Sequence, residues 1–385
     1  MINRWRKALA GALVLAGCSD DSAAARHEDQ AALQMDLEAV QKTVNVIGAL
    51  AEVQTPDGSM RARTGVSELG KPDPVPWDSE FRVASTTKTF VATALLQLVG
   101  EGRLGLDDTV EKWLPGVVVG NGNDGSKISI RNLLQQTSGI YDYVADPDLR
   151  EALARDFPRA CLDREPPEAF VAIALKHPPL FAPGTEWRYS NTNYLLAGMI
   201  LSKAAGRDWK EQVEQRIIAP LGLGHTLVTR EDPSIPGPHA HSYLVLQGAP
   251  EPIDATDCTL EHTADSAIIS TTADLNTFFR ALMTGKLLRP QELTEMQKTT
   301  PSTADDAQFP NGRYGLGIRW TPLSCGGGYW HHEGDSPTGF ATRTGVTADG
   351  QRSVVVMTTS TIDLVATNAA IAALTDRALC DRPRD

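Results

Sequence analysis

Ser85 and Lys88 lie three residues apart in Phe81-Arg82-Val83-Ala84-Ser85-Thr86-Thr87-Lys88-Thr89-Phe90, and side chains at that spacing share one face of a helix. The run behind them, Phe90 to Val99, is almost wholly apolar and stops at Gly100-Glu101-Gly102, which predicts a buried helix with Ser85 at its N-terminus. An ammonium beside that hydroxyl lowers the cost of an alkoxide, and the unpaired N–H groups of the first turn add a positive field. The chemistry on offer is acyl transfer through a serine ester. The plain alternative is a surface serine capping a helix beside a solvated lysine. The apolar helix argues against it, because it would hold Lys88 near the interior.

A second cluster, Trp187-Arg188-Tyr189-Ser190-Asn191-Thr192-Asn193-Tyr194, follows the turn Ala182-Pro183-Gly184-Thr185 and precedes an apolar helix from Tyr194 to Ala205. Tyr189 and Asn191 then sit in a short loop. A tyrosine near a lysine ammonium loses its proton more easily than its reference pKa of about 10 suggests and can relay protons to a leaving group. The Asn191 amide can donate to and accept from a substrate amide.

A third cluster, Tyr329-Trp330-His331-His332-Glu333-Gly334-Asp335, lies between the turn Gly326-Gly327-Gly328 and a strand-like run from Phe340 to Thr347. His332 on a strand could carry a positive charge or donate to Tyr189, and Gly334 would let a substrate backbone approach closely. A metal is not expected at His331-His332, because adjacent strand residues point to opposite faces and no carboxylate or cysteine lies at helical ligand spacing. No cofactor is implied.

With these three clusters in order, the chain resembles the serine penicillin-recognising family of class C β-lactamases, D-alanyl-D-alanine carboxypeptidases, esterases and D-aminopeptidases. It is most similar to the secreted actinomycete-type DD-carboxypeptidase/transpeptidase. Phe81 to Lys88, Leu95 to Gly102, Ser138 to Tyr143, Tyr189 to Asn193, Tyr314 to Arg319 and Leu323 to Gly326 carry the resemblance. It implies Ser85 as the acylated nucleophile, Lys88 and Tyr189 as proton-transfer partners, Asn191 as a substrate-amide contact and His332 in the third motif. Backbone N–H groups of Ser85 and Asp335 would form the oxyanion hole. Arg319 matches the family arginine that receives the substrate's C-terminal carboxylate. Two departures stand out: Glu333 replaces a small residue after the motif histidine, and the turn Asp335 to Phe340 is one residue longer. A glutamate there could pair with Arg319 and compete with that carboxylate, or face solvent.

These clusters need a scaffold from distant parts of the chain. Val46 to Gln54 and Met60 to Val66 flank Pro56-Asp57-Gly58 as a hairpin, strands return at Tyr314 to Trp320, Phe340 to Thr347 and Arg352 to Thr358, and a helix is expected from Asp363 to Leu379. The expected fold is α+β, of the β-lactamase/transpeptidase type. Residues 31–82 and 301–385 would form an antiparallel sheet flanked by terminal helices, 83–300 a mostly helical insert, and the site the cleft between them.

A net charge of -12 and the lack of a basic cluster argue against a nucleic-acid partner. Arg4, Arg6 and Lys7 precede the apolar run Ala8 to Ala16 and then Gly17-Cys18, the pattern of an export signal too short to span a membrane. Leu15-Ala16-Gly17-Cys18 resembles a lipoprotein box, which would place a lipid on Cys18, with residues 19–30 as a polar tether. Ordinary secretion after Ala23-Ala24-Ala25 is the alternative. Setting Cys18 aside leaves Cys161, Cys258, Cys325 and Cys380, an even set with three possible pairings. The resemblance implies Cys325 with Cys380, leaving Cys161 with Cys258. The reading is an exported, monomeric serine hydrolase of the DD-carboxypeptidase/transpeptidase kind, acting on a small peptide, amide or ester. The alternatives are a β-lactamase, an esterase, D-aminopeptidase or transacylase, and a penicillin-binding sensor without turnover.

Overall fold

A computed structural model describes residues 18–44, 46–161, 164–244, 251–258, 260–302, 311–359 and 364–380. The basic and apolar stretch read as an export signal lies outside the described residues, up to Cys18.

The hairpin forms as strands β1 (Gly48–Thr55) and β2 (Gly58–Gly65), antiparallel from Gly48 opposite Gly65 to Thr55 opposite Gly58. The C-terminal part of the chain adds β3 (Thr300–Pro301), β4 (Arg313–Tyr314), β5 (Arg319–Pro322), β6 (Gly328–His331), β7 (Gly334–Asp335), β8 (Phe340–Thr347) and β9 (Ser353–Thr359). Together they make one antiparallel sheet of order β3-β4-β5-β6-β8-β9-β1-β2, with β7 also pairing on β8. The two ends of the chain therefore meet at β9 and β1.

Both faces of the sheet are covered, and strand alternation sorts the residues between them. On one side Ala49, Ala51, Val53, Val354 and Val356 join Leu33, Leu37 and Val40 of helix α1 (Cys18–Val44) and Ile371 and Leu374 of the final helix (Leu364–Leu379). On the other, Leu50, Val355 and Met357 join the main core.

Helix α1 begins earlier than expected. The stretch 19–30, read as a tether, forms its first turns; Ser22-Ala23-Ala24-Ala25 supplies three of the strongest helix formers in a row. A second difference concerns the expected strand Tyr314 to Trp320, which is two strands, Tyr314 standing opposite Arg319 across a tight reversal. Gly317 permits it, with φ +73° and a position where a Cβ would lie 2.5 Å from that of Ala92.

The Ser85 segment enters a 3₁₀ turn at Ala84–Thr86 and continues as α2 (Thr87–Gly100), which packs on α3 (Thr192–Ala205). Every residue from Thr87 to Leu96 is buried. Helix α4 (Thr272–Met283) falls within the stretch expected to belong to the helical insert, yet it packs on β1, β8 and β9. Thr272 and Asn276 donate to the Glu52 side chain and carbonyl, at 2.8 and 3.1 Å. Phe278 on the same helix stacks on Phe90 of α2, ring centroids 3.7 Å apart. One apolar core thus joins sheet and helices.

Candidate active site

The nucleophile turn is strained where it matters. Ala84 has φ 45°, a left-handed conformation uncommon for a residue with a side chain. It aims the Ser85 hydroxyl at Lys88, whose Nζ donates to Ser85 Oγ at 2.8 Å, to Asn191 Oδ1 at 2.8 Å and to the Asp265 carbonyl at 2.9 Å. All three ammonium protons are used. Burial lowers the Lys88 pKa to about 8, against the opposing pull of Asp265, Asp142, Glu333 and Glu261. The lysine can therefore exist as a free amine at mildly alkaline pH.

Tyr189 stands with its ring centroid 5.1 Å from the Lys88 ammonium. Its hydroxyl is buried and forms no hydrogen bond of normal length. Contrary to expectation, its pKa is pushed well above 10: burial, the Tyr314 ring and Glu333 outweigh the opposing influence of Ser85 and Arg319. The site is too dry to supply a ready-made phenolate. Tyr189 is a proton donor in its resting state.

Asn191 has both ends of its amide engaged. Its Oδ1 accepts from Lys88, and its Nδ2 donates to Asp142 Oδ2 at 3.1 Å. In this arrangement Asn191 bridges Asp142 and Lys88.

His332 also differs from expectation. Its Nδ1 is 2.7 Å from the Glu333 carbonyl, which can only accept, so Nδ1 carries the proton and Nε2 accepts from the Tyr314 hydroxyl at 2.9 Å. Burial drives its pKa down to about 4; Glu333 opposes the fall, while Lys88 and Arg319 add to it. The ring is neutral and reaches Tyr314 rather than donating to Tyr189.

Strands β6 and β7 continue one register along β8, interrupted where the Thr344 hydroxyl bonds both the N–H and the carbonyl of His332. Gly334 then lies against the nucleophile turn, where a Cβ would sit 2.0 Å from the Val83 carbonyl oxygen. The close approach expected there for a substrate is made by the protein's own backbone. It puts the Asp335 segment beside Ser85. The Asp335 carboxylate accepts from Arg343 at 2.7 Å, so its side chain is already held. The turn after it is pinned by Ser336, which donates to the buried Glu261 at 2.5 Å.

Arg319 and Glu333 meet as a buried pair, the first of the two outcomes the sequence left open. Arg319 pairs with His331 across the sheet, and Glu333 comes two residues later, within diagonal reach. Arg319 Nε donates to Glu333 Oε1 at 2.9 Å, with only 3% and 7% of the two side chains exposed. Burial alone would raise the Glu333 pKa, but Arg319 together with His332 and His331 holds it well below the ordinary range. The guanidinium also lies against the rings of Trp187, Tyr189 and Tyr314.

The structure thus gathers Ser85, Lys88, Tyr189, Asn191, His332, Arg319, Glu333 and Asp335 where α2, α3 and the sheet meet. Sequence reasoning assigned nothing to Asp142, Asp265, Tyr314 or Arg343. Asp142 and Tyr314 lie in recognised segments, so their polarity was an available signal. Asp265 binds Lys88 through its backbone carbonyl, which no residue type announces.

A serine bonded to a buried lysine at a helix N-terminus beside this sheet defines a class, the serine hydrolases. The chain belongs to the β-lactamase family, whose Beta-lactamase model matches residues 37–377. It is similar to the crystal structure of a D-stereospecific amidohydrolase from Streptomyces sp., at 39% identity and TM-score 0.81, covering 89% of this chain and 98% of that one. The D-amino acid amidase of Ochrobactrum anthropi SV3 shares the fold, at 22% identity and TM-score 0.72 over 88% and 97% of the two chains. Penicillin-binding protein 4 of Amycolatopsis lactamdurans is 30% identical over 231 residues, which cover 60% of this chain and 57% of that protein. The chain spans about half or less of the length of the first curated relatives it matches.

Proposed function

We propose that this hydrolase transfers D-configured acyl groups from donors without a free C-terminal carboxylate, namely amides, esters or internal D-peptide bonds, rather than acting as a D-alanyl-D-alanine carboxypeptidase. The buried Arg319–Glu333 pair carries the reading. Two unit charges at about 4 Å in an effective dielectric near 20 attract by roughly 4 kcal/mol before desolvation. A substrate carboxylate would have to displace a partner already in place. The likeness to an amidohydrolase described as D-stereospecific supports the acyl side of the proposal.

In this reading neutral Lys88 takes the Ser85 proton as Oγ attacks the acyl carbonyl, whose electrons move to the oxygen. N–H groups of Ser85 and Asp335 hold that oxyanion. On collapse, the leaving amine or alkoxide takes a proton from Tyr189, which recovers one from Lys88. Water or an amine then accepts the acyl group.

The test compares kcat/KM for an acyl-D-Ala-D-Ala acid and its C-terminal amide in wild type and Glu333→Thr. Wild type should favour the amide by at least about tenfold, and the mutant should regain activity on the acid as Arg319 is released. Wild-type preference for the acid, unchanged by the mutation, would restore the carboxypeptidase assignment.

The proposal extends to export with a lipid on Cys18. Support comes from the leader pattern and from the disulfides Cys161–Cys258 and Cys325–Cys380, since such bonds persist in oxidising compartments. Globomycin should block maturation in cells expressing the full chain. Normal processing in its presence would exclude the anchor.

A further inference from the structure

Resting on the roles of Ser85 and Lys88 given above, we propose that Asp142 is a positioning residue for acylation: by holding the amino end of the Asn191 amide, it fixes Asn191 Oδ1 toward Lys88 and so aims the lone pair of the neutral lysine at Ser85. The orientation follows from what each group can do. A carboxylate only accepts and an ammonium only donates, so an amide placed between them must turn its NH₂ to Asp142 and its oxygen to Lys88. The geometry agrees: Asn191 Nδ2 lies 3.3 and 3.1 Å from the two Asp142 oxygens, and the Asn191 backbone N–H donates to Oδ1 at 3.1 Å.

The consequence appears when Lys88 loses a proton. A neutral amine has two N–H groups and one lone pair. Of its three neighbours, Asn191 Oδ1 and the Asp265 carbonyl can only accept, whereas Ser85 Oγ can donate. The two remaining N–H groups go to the fixed acceptors and the lone pair is left for the serine proton. Were the Asn191 amide reversed, its NH₂ would compete for that lone pair.

Asp142 does not need its carboxylate to stay in place. The flanking backbone is tied to the Asn191 loop through Tyr143 N–H to Thr192 Oγ1 at 3.1 Å, Thr192 Oγ1 to the Tyr141 carbonyl at 2.8 Å, and Ser190 Oγ to that same carbonyl at 3.3 Å. Asp142→Asn should therefore change charge and donor pattern while leaving the segment where it is. The groups acting on Lys88 are Ser85, Tyr189, Tyr194, His332, Asp142, Asp265, Glu261 and Glu333. Those acting on Asp142 are Asn191, the Val144 N–H, Lys88 and Tyr143. Only one of the four carboxylates is altered by the mutation.

The experiment measures the acylation burst with p-nitrophenyl acetate, which does not titrate between pH 6 and 10, in wild type, Asp142→Asn, Lys88→Ala and the double mutant Asp142→Asn/Asn191→Asp. Removing the Asp142 charge should move the acid limb to lower pH by about one unit and cut the plateau by roughly tenfold. The double mutant returns a carboxylate to the lysine's side and should carry the limb back to or above its wild-type position. Melting curves identify any variant that has not folded, and the remaining one still decides. An undiminished plateau in Asp142→Asn, or a double mutant whose plateau stays as low as that of the single mutant, would overturn the role of Asp142. Persistence of the limb in Lys88→Ala would instead overturn the reading of Lys88 on which it rests.

Discussion

Ser85→Ala is expected to abolish covalent labelling by a fluorescent penicillin and all acyl-enzyme detectable by intact-protein mass spectrometry, because the adduct is an ester of that hydroxyl. The fold should survive. Neither the 3₁₀ turn nor α2 is capped by a side chain, and the hydroxyl accepts from Lys88. Lys88 keeps Asn191 Oδ1 and the Asp265 carbonyl as acceptors after the mutation. The cost in stability should be about 1 kcal/mol, the usual scale for one hydrogen bond, and calorimetry would show it as a small shift in Tm. Undiminished labelling of the mutant would refute the assignment of the nucleophile.

Replacing Lys88 by alanine should slow acylation by at least about a hundredfold, the scale of lost acid–base help, and Tyr189→Phe should do the same. The pH dependence gives the sharper signature for the lysine. With its pKa lowered to about 8, Lys88 is mostly protonated at neutral pH and becomes a base as the pH rises. Acylation should climb about tenfold per unit below that value, reach half its maximum near it and level off above. His332, lowered to about 4, titrates far below this window. Glu261, raised to about 7 by burial, lies closer and gains charge over the same range. Loss of the limb in Lys88→Ala assigns it to the lysine; an intact limb with undiminished rate would remove Lys88 from the chemistry.

What could be read in advance follows from how local each feature is. The helix behind Ser85, the loop before α3 and the 56–58 turn are set by neighbours within a few residues, and the structure has all three. The Arg319–Glu333 contact was foreseeable because both residues fell in recognisable segments. The protonation states of Tyr189 and His332 were not, since they depend on dry surroundings assembled from distant strands. The place of α4 against the sheet was hidden for a similar reason: its apolar face could serve equally a helix or a strand layer, and Glu52 settles the choice only through a tertiary contact. The Gly315–Gly317 reversal shows the limit within one short run. Apolar residues around two glycines read as a strand, but left-handed backbone at Gly317 turns them back.

The pairing of β9 with β1 and the seating of Gly334 on the Val83 carbonyl have a kinetic meaning. Contacts between residues so far apart in the chain depend on closing long loops, which slows folding. Ser85 leaves the ribosome early, yet the strand beside its turn is made only near the end of synthesis. The site is therefore complete only once the last strands have docked, because His332, Glu333 and Asp335 all come from that part of the chain.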